Sequence, residues 1–481
     1  MRYISNLLYR TLTGYRMSIK IGDQTLQRKK VLIDEKDSIT EVIIHQGVNK
    51  IKDYEFDGCT NLTSITIPDS VTTIRFRAFE KCTNLTSITI PNSVTKIEQS
   101  AFAECTNLTS ITIPDSVTTI GAVAFYGCRG LTSITIPNNL TKIEELAFAQ
   151  CTSLKSITIP NSVTSIKPGA FANCSSLTSI TIPNSVTEIR SNTFNGCTSL
   201  TSISIPNSVT SIETGTFQNC TNLTSITIPE GVTSIGTYAF AYCSNLTSIA
   251  IPDGVTGIGF GTFQNCSNLS SITIPDSVTA IEEYAFNGCI GLTSITIPDS
   301  VTAIGEYAFK GCSSLSHLII PDSLNNQDPT HWAHKGIDLN KTQLMTHSQL
   351  SEWAKEYNLE GYYSIDELYT LYQLQKDDHY QPSWSELGKR SRHILVSDLL
   401  NILPENKKNA VLPQTLIGQH GNQEKHSTKE EQLLHTLSLL SRAPAENLDQ
   451  EKVPSHDNTS EDTKKKAKIT PYLLEHLWLA T

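Results

Sequence analysis

The sequence predicts a repeat solenoid built mainly from short parallel β-strands and followed by a small α-helical region. Three observations predict it. All twelve cysteines stand 23 residues apart, from Cys59 to Cys312. A Phe lies three positions before each Cys and a Leu three positions after, Phe56 to Phe309 and Leu62 to Leu315. Twelve of the twenty prolines, Pro68 to Pro321, keep the same interval. A fixed period of this length marks a stacked supersecondary unit, in which each repeat packs only on its neighbours. The composition agrees, because 38% hydrophobic and 7% aromatic residues suit a thin, one-dimensional core better than several globular ones.

One unit reads Leu62-Thr63-Ser64-Ile65-Thr66-Ile67-Pro68-Asp69-Ser70-Val71-Thr72-Thr73-Ile74, then three variable residues, Ala78-Phe79, and a turn holding Cys82. Leu-x-x-Ile-x-Ile alternates apolar with hydroxyl residues, which predicts a strand with Leu62, Ile65 and Ile67 inward. Pro68 lacks a backbone donor and ends that ladder. Val71 and Ile74 return to the core as a second extended segment, and Ala78, Phe79 and Cys82 close the coil. About eight inward side chains cannot fold alone, so the units must stack, with strands roughly 4.8 Å apart. Eleven units run from Leu62 to Ser314. A degenerate unit precedes them, with His45 in the proline position, and a half unit follows whose pattern fails after Leu324.

This unit resembles the BspA-like class of leucine-rich repeat, over about residues 39–324. The resemblance implies a right-handed curved solenoid, a protein-binding or adhesive role, and a source among bacteria or some protozoa. Four segments are expected: an N-terminal leader or cap (1–38), the solenoid (39–324), a small helical domain (325–418), and a largely flexible tail with short helices (419–481).

Strand alternation turns the columns of Ser64 and Thr66 outward. Eleven of twelve residues in the first column are Ser, with His317 the exception, and the second is Thr except for Ser204, Ala250 and Ile319. This hydroxyl carpet lacks the aromatic and charged anchors that carry most protein-binding energy. It records duplication of one unit, or else suits a carbohydrate or another regular polymer. Diversity gathers instead after the second extended segment, as in Arg75-Phe76-Arg77 and Glu282-Glu283-Tyr284. Tyr238, Phe260, Tyr284 and Tyr307 cluster in the last four units, with Tyr242 on the nearby turn. These five, with His317 and Ile319, are the candidate partner-binding residues. Tyr beside Ala-Phe also serves plain packing over the turn. The residue after each proline is Asp or Asn, becoming acidic in succession from Glu230 to Asp322, and turn formation is its ordinary role.

The cysteine ladder is expected to be reduced and buried, each thiol acting as a small hydrophobe, because parallel side chains are poorly aimed for a disulfide. No Cys-x-x-Cys pair supports structural zinc. The Asn-Leu-Thr sequons at Asn61, Asn84, Asn107, Asn222 and Asn245 are expected inside packed turns. The N-terminus lacks a sufficient apolar run for a cleaved leader. Cytoplasmic residence, or secretion without a cleaved signal peptide, is therefore expected.

After Leu324 all four Trp appear, with neither Cys nor Phe. Capping boxes at Ser364, Ser383 and Thr428 open expected helices near 364–376, 383–403 and 428–442, with another near 347–358. Trp353, Leu368 and Tyr372 belong to the expected helical core. A short apolar helix or recognition tail closes the chain from Pro471. His331 and His334 form the one close histidine pair, placed in a loop after the repeats.

No apolar run approaches a membrane span, and a net charge of −10 argues against a mainly electrostatic nucleic-acid binder. No cofactor and no catalytic motif is expected. Helical-domain ubiquitin ligases that follow such repeats use a Cys, and none occurs after Cys312. The expected function is a non-enzymatic protein-interaction scaffold, acting as a secreted bacterial effector (a virulence role) inside a host cell. A surface adhesin gripping matrix protein or carbohydrate through the Ser/Thr face is the alternative, and an enzyme seated in the helical region the third.

Overall fold

The computed structural model describes residues 17–21, 36, 39–44, 46–325, 328–356, 368 and 372. It is a parallel-strand β-solenoid of stacked 23-residue coils with few helices. Each coil has three sides, and each side joins its neighbours through backbone hydrogen bonds.

The first side is the long strand. Ser87–Thr89, Ser110–Thr112, Ser133–Thr135, Ser156–Thr158 and Ser179–Thr181 form one parallel sheet in sequence order. Equivalent residues face each other, as in Ser87↔Ser110 and Ser156↔Ser179. Their pattern is exposed, buried, exposed. Leu and Ile point to the core while Ser and Thr face solvent, because a strand alternates its side chains. At the N-terminal end, Met17–Ile21 adds a parallel strand to Ile39–Ile44.

The second side is the two-residue strand at Ile74 and its equivalents, reached through a tight turn. Val71 N–H donates to Pro68 O (3.1 Å), closing Pro-Asp-Ser-Val as a four-residue turn. Thr73↔Lys96↔Thr119 and Lys142↔Ser165↔Glu188 pair in parallel.

The third side carries the aromatic turn. Phe79 N–H donates to Ala101 O of the next coil (2.8 Å), while Cys82 N–H returns to Phe79 O (3.2 Å). Two residues per coil take left-handed backbone here. One stands two before the Phe (Arg77, φ 55°), the other immediately before the Cys (Lys81, φ 60°).

The core is one continuous spine. Twelve Phe rings stack along it with neighbouring centroids 5.2–5.8 Å apart and planes within 12° of parallel. Eleven cysteines are fully buried and Cys312, in the last coil, is half-buried; all are free thiols. Burying each Phe contributes roughly 1.5–3 kcal/mol, and the stacked geometry about 0.5–1.5 kcal/mol per pair beyond that. Burial pushes the Cys174, Cys220 and Cys266 thiols up to about 12. The sequon asparagines lie in turns as expected, but on the surface of the stack and outside this core. Asn61, Asn84, Asn107 and Asn222 are exposed. Their amides bond from coil to coil, Asn84 Nδ2 to Asn61 Oδ1 at 3.2 Å and Asn107 Nδ2 to Asn84 Oδ1 at 3.4 Å.

The repeat pattern ends at Leu324, but the first compact unit continues to Leu344. Helix α1 (Pro329–Lys335) lies over the last coil, and its Trp332 is fully buried in the spine. Asp328 caps α1 by accepting from Thr330 N (2.9 Å), and Gly336 ends it at φ 86°. His331 and His334 therefore sit on a helix rather than in a loop. Gln343 N–H then donates to Ser316 O (2.7 Å), covering the last long strand.

The second unit begins at Met345. Its helix α2 (His347–Glu356) buries Leu350, Trp353 and Ala354, and Trp353 meets the Tyr372 ring edge-on at 5.4 Å. The helices expected at 383–403 and 428–442 and the tail from Pro471 lie outside the described residues, as does most of 1–38. No helix among the described residues is long and apolar enough to cross a membrane.

Candidate interaction surface

The variable residues of each coil fall on the aromatic-turn side, where left-handed backbone lifts their side chains off the stack. Tyr238, Tyr284 and Tyr307 all occupy the left-handed position two before the Phe, at φ 55–56°. Phe260 stands one residue earlier in its own coil. The structure brings these four into one ladder. Ring centroids are 5.3 Å apart for Tyr238–Phe260, 5.4 Å for Phe260–Tyr284 and 5.5 Å for Tyr284–Tyr307. All four rings are half-buried, leaving an open aromatic edge.

A glycine makes the ladder fit. A Cβ on Gly261 would stand 2.5 Å from Tyr238 Cε1, so the Tyr238 ring leans into space that only glycine leaves. Where Phe260 replaces the tyrosine position by one residue, Gly261 takes the left-handed site (φ 58°).

Charge surrounds the rings. Exposed Glu282, Glu283 and Glu306 edge the ladder, and Glu282 Oε2 accepts from Phe260 N (2.8 Å). Lys310 Nζ sits 4.9 Å from the Tyr307 ring centroid, a cation–π contact that caps the C-terminal end. Beside the ladder, Ser234, Gly236, Gly257, Gly259 and Glu282 line an open groove of about 270 Å³. Three of these lining residues are glycines. Lys310, Glu282 and these glycines were not among the sequence candidates. For Glu282, Gly236 and Gly259 the signal was present in the column after each second-strand Ile, which reads Glu213, Gly236, Gly259, Glu282, Gly305.

The other candidates lie apart. Tyr242, before Cys243, is 40% exposed and makes no ring contact with the ladder among the described residues. His317 is half-buried on the last long strand, its Nδ1 2.8 Å from Ser316 Oγ. Ile319 is only 2% exposed, in contrast with the outward Thr of its column, and so does not present a partner surface. It belongs to the last long strand, which the segment after α1 covers.

A second, smaller aromatic group stands at the opposite end. Tyr54 and Phe76 meet edge-on at 5.2 Å, with the Arg77 guanidinium 5.1 Å from the Phe76 ring and 5.8 Å from Tyr54. Glu80 Oε2 lies 3.0 Å from Arg77 Nε. Burial raises the Glu80 carboxyl above its ordinary value, against the lowering pull of Arg77. Midway along, Arg190 bridges Glu188 (2.8 Å) and Glu213 (2.9 Å) between coils. No group of three or more potential metal-binding side chains occurs among the described residues.

The sequence matches a family profile described as BspA type leucine rich repeat region (6 copies), over residues 32–155, 142–269 and 233–330. A leucine-rich cell surface protein from Faecalibacterium prausnitzii is similar at 31% identity, covering 68% of this chain and 89% of that one, with a TM-score of 0.46. A leucine-rich repeat protein from Bacteroides ovatus shares 24% identity over 72% of this chain and 99% of that one, with a TM-score of 0.48. A leucine-rich repeat protein of T. pallidum shares 35% identity over 34% of this chain and 78% of its own length, with a TM-score of 0.33. No curated protein matches the sequence.

Proposed function

Since the chain belongs to the BspA-type leucine-rich repeat family, we propose that it is a non-enzymatic interaction scaffold whose protein partner docks on the aromatic flank of its C-terminal coils. The observation that carries this reading is the continuous ladder Tyr238–Phe260–Tyr284–Tyr307. Its rings are spaced 5.3–5.5 Å apart and are left half-exposed. Buried aromatic anchors supply most interface energy, and charged rims set orientation. Here Glu282, Glu283, Glu306 and Lys310 form the rim. The proposed setting is a reducing one, the interior of a host cell entered as a secreted effector. The unpaired, buried thiols of the spine are compatible with such a compartment.

Site-directed photocrosslinking tests the reading. A photoreactive phenylalanine analogue at position 260 should trap a defined protein from host-cell extract, and the same probe at Thr112 should not. Tyr238→Ala with Tyr284→Ala should abolish the crosslink from position 260. Equal trapping at both positions, or trapping that survives the double substitution, would overturn it.

A further inference from the structure

The hydroxyl columns of the repeat differ in what they bond. Four columns spend their proton on the preceding coil. Thr83 Oγ1 donates to Thr60 O (3.3 Å), Thr109 Oγ1 to Thr86 O (3.1 Å), Ser93 Oγ to Val71 O (2.6 Å) and Thr118 Oγ1 to Thr95 O (3.4 Å). The same bonds recur along the stack, for instance Thr224 to Thr201 and Ser277 to Val255. These columns are Ser or Thr because the coil interface needs a short side chain that donates back to the backbone.

The long-strand columns are different. From Ser64 to Ser294 and from Thr66 to Thr296, no hydroxyl makes a hydrogen bond within the protein among the described residues. Stacking therefore does not account for them. Parallel pairing holds them in register, Ser to Ser and Thr to Thr. The result is a lattice with a spacing of roughly 4.8 Å along the stack and about 6.6 Å across each strand. Both columns are uncharged throughout, although the chain carries 47 acidic and 37 basic residues.

We propose that this long-strand face binds a linear, uncharged polysaccharide lying along the stack, a contact separate from the aromatic flank. A lattice without cations offers nothing to a sulfated, phosphorylated or carboxylated polymer. A lattice without aromatic or aliphatic anchors offers little to a folded protein. Each hydroxyl both donates and accepts, as do the hydroxyls of a neutral glycan, and a linear chain of sugar rings repeats its groups as the coils repeat theirs. A single hydroxyl contact adds little net free energy in water. Affinity must come from many coils engaging one chain at once, with bridging water filling the mismatches.

Affinity electrophoresis of the full chain tests this in gels containing hydroxyethyl cellulose, galactomannan or carboxymethyl cellulose, with cellohexaose as competitor. Retardation is expected in at least one neutral gel and should be weaker in the carboxymethyl gel. Cellohexaose should compete at least about a hundredfold more weakly per mole than the polymer. Replacing Thr89, Thr112, Thr135, Thr158 and Thr181 together with Val should remove the retardation while preserving the β-rich fold. Should that variant aggregate, Thr135→Lys places one charge mid-lattice and should weaken binding about tenfold or more. Tyr238→Ala with Tyr284→Ala should leave retardation unchanged, which separates this surface from the aromatic flank. Migration unaffected by both neutral polymers, stronger binding to the charged one, or retardation that persists in the Thr variants would overturn the proposal. So would thermal hysteresis on freezing without polymer binding, which would assign the lattice to ordered water.

Discussion

The Cys105 thiol donates to the carbonyl oxygen of Phe79 in the preceding coil, at 3.1 Å. That oxygen already accepts Cys82 N–H from its own coil at 3.2 Å. The pair recurs from Cys82 to Cys312, at 3.1–3.3 Å. This position needs a side chain small and apolar enough to bury yet able to satisfy a second lone pair. Alanine lacks the donor, and a serine hydroxyl costs more to desolvate. The cysteine repeat is therefore an interlock between coils.

Ionisation of these thiols should control alkaline stability. Burial raises the thiols of Cys174, Cys220, Cys266 and Cys312 to about 12. A free thiol in the unfolded chain ionises near about 8.5. A folded pKa above the unfolded one contributes stability that is complete below the unfolded value and is lost as pH rises through the folded one. Each such thiol adds about 1.4 kcal/mol of loss per pH unit between the two values. Chemical denaturation should show flat stability from pH 6 to 8 and a steep fall above 9. Ellman titration at pH 8 should find almost no reactive thiol in the native protein and twelve after denaturation, the number in the sequence.

Breaking the ring stack at its centre should divide the solenoid. Phe171 is fully buried between Phe148 (5.7 Å) and Phe194 (5.8 Å). Phe171→Ala should cost about 3–5 kcal/mol, and nearest-neighbour stability predicts that the two halves then unfold separately. Calorimetry should resolve two transitions in place of one.

How much of this was legible in the sequence depended on whether a column is constant. Leu62, Ile65, Ile67, Val71, Ile74, Phe79 and Cys82 repeat with their type, so their inward direction follows from the constancy of each apolar column. The left-handed position two before each Phe was not legible, since it holds residues as different as Arg77, Ser100, Val123, Leu146 and Tyr238. Backbone pairing to the next coil imposes that conformation whatever the side chain. The aromatic ladder was visible as a cluster of rings. The groove beside it was not, because its lining includes three glycines, which carry no side-chain signal.

That imposed conformation stores strain that substitution should release. Val123 (φ 61°) and Leu146 (φ 52°) hold left-handed backbone despite their bulk, at a cost of roughly 1–2 kcal/mol each. Asparagine tolerates this region and occupies it naturally at Asn192 (φ 58°). Val123→Asn should therefore stabilise the chain by about 1 kcal/mol in urea titration. Gly261→Ala should do the reverse, because its Cβ would meet the Tyr238 ring at 2.5 Å.

The stack should depend on a terminal cap that carries no repeat signature. In the coils before it, the aromatic-turn N–H groups donate to the next coil. In the last one, Tyr307 N–H donates to His334 O (2.7 Å) and Phe309 N–H to Lys335 O (2.9 Å). These acceptors are the terminal carbonyls of α1, which a helix leaves unpaired. Gly336 permits the approach, since a Cβ there would stand 2.3 Å from Lys310 N. Trp332 covers the exposed end of the spine. Ending the chain after Leu344 should keep the solenoid folded, whereas ending it after Leu324 strips α1 and leaves Phe309, Leu318 and Ile320 uncovered. The shorter form should lose cooperativity and aggregate. Trp332→Ala in the full chain should cost about 3–5 kcal/mol, and Gly336→Ala should fray the last coil. Hydrogen exchange at Tyr307 and Phe309 reads this directly. Protection unchanged in Trp332→Ala would mean that the stack closes itself without α1.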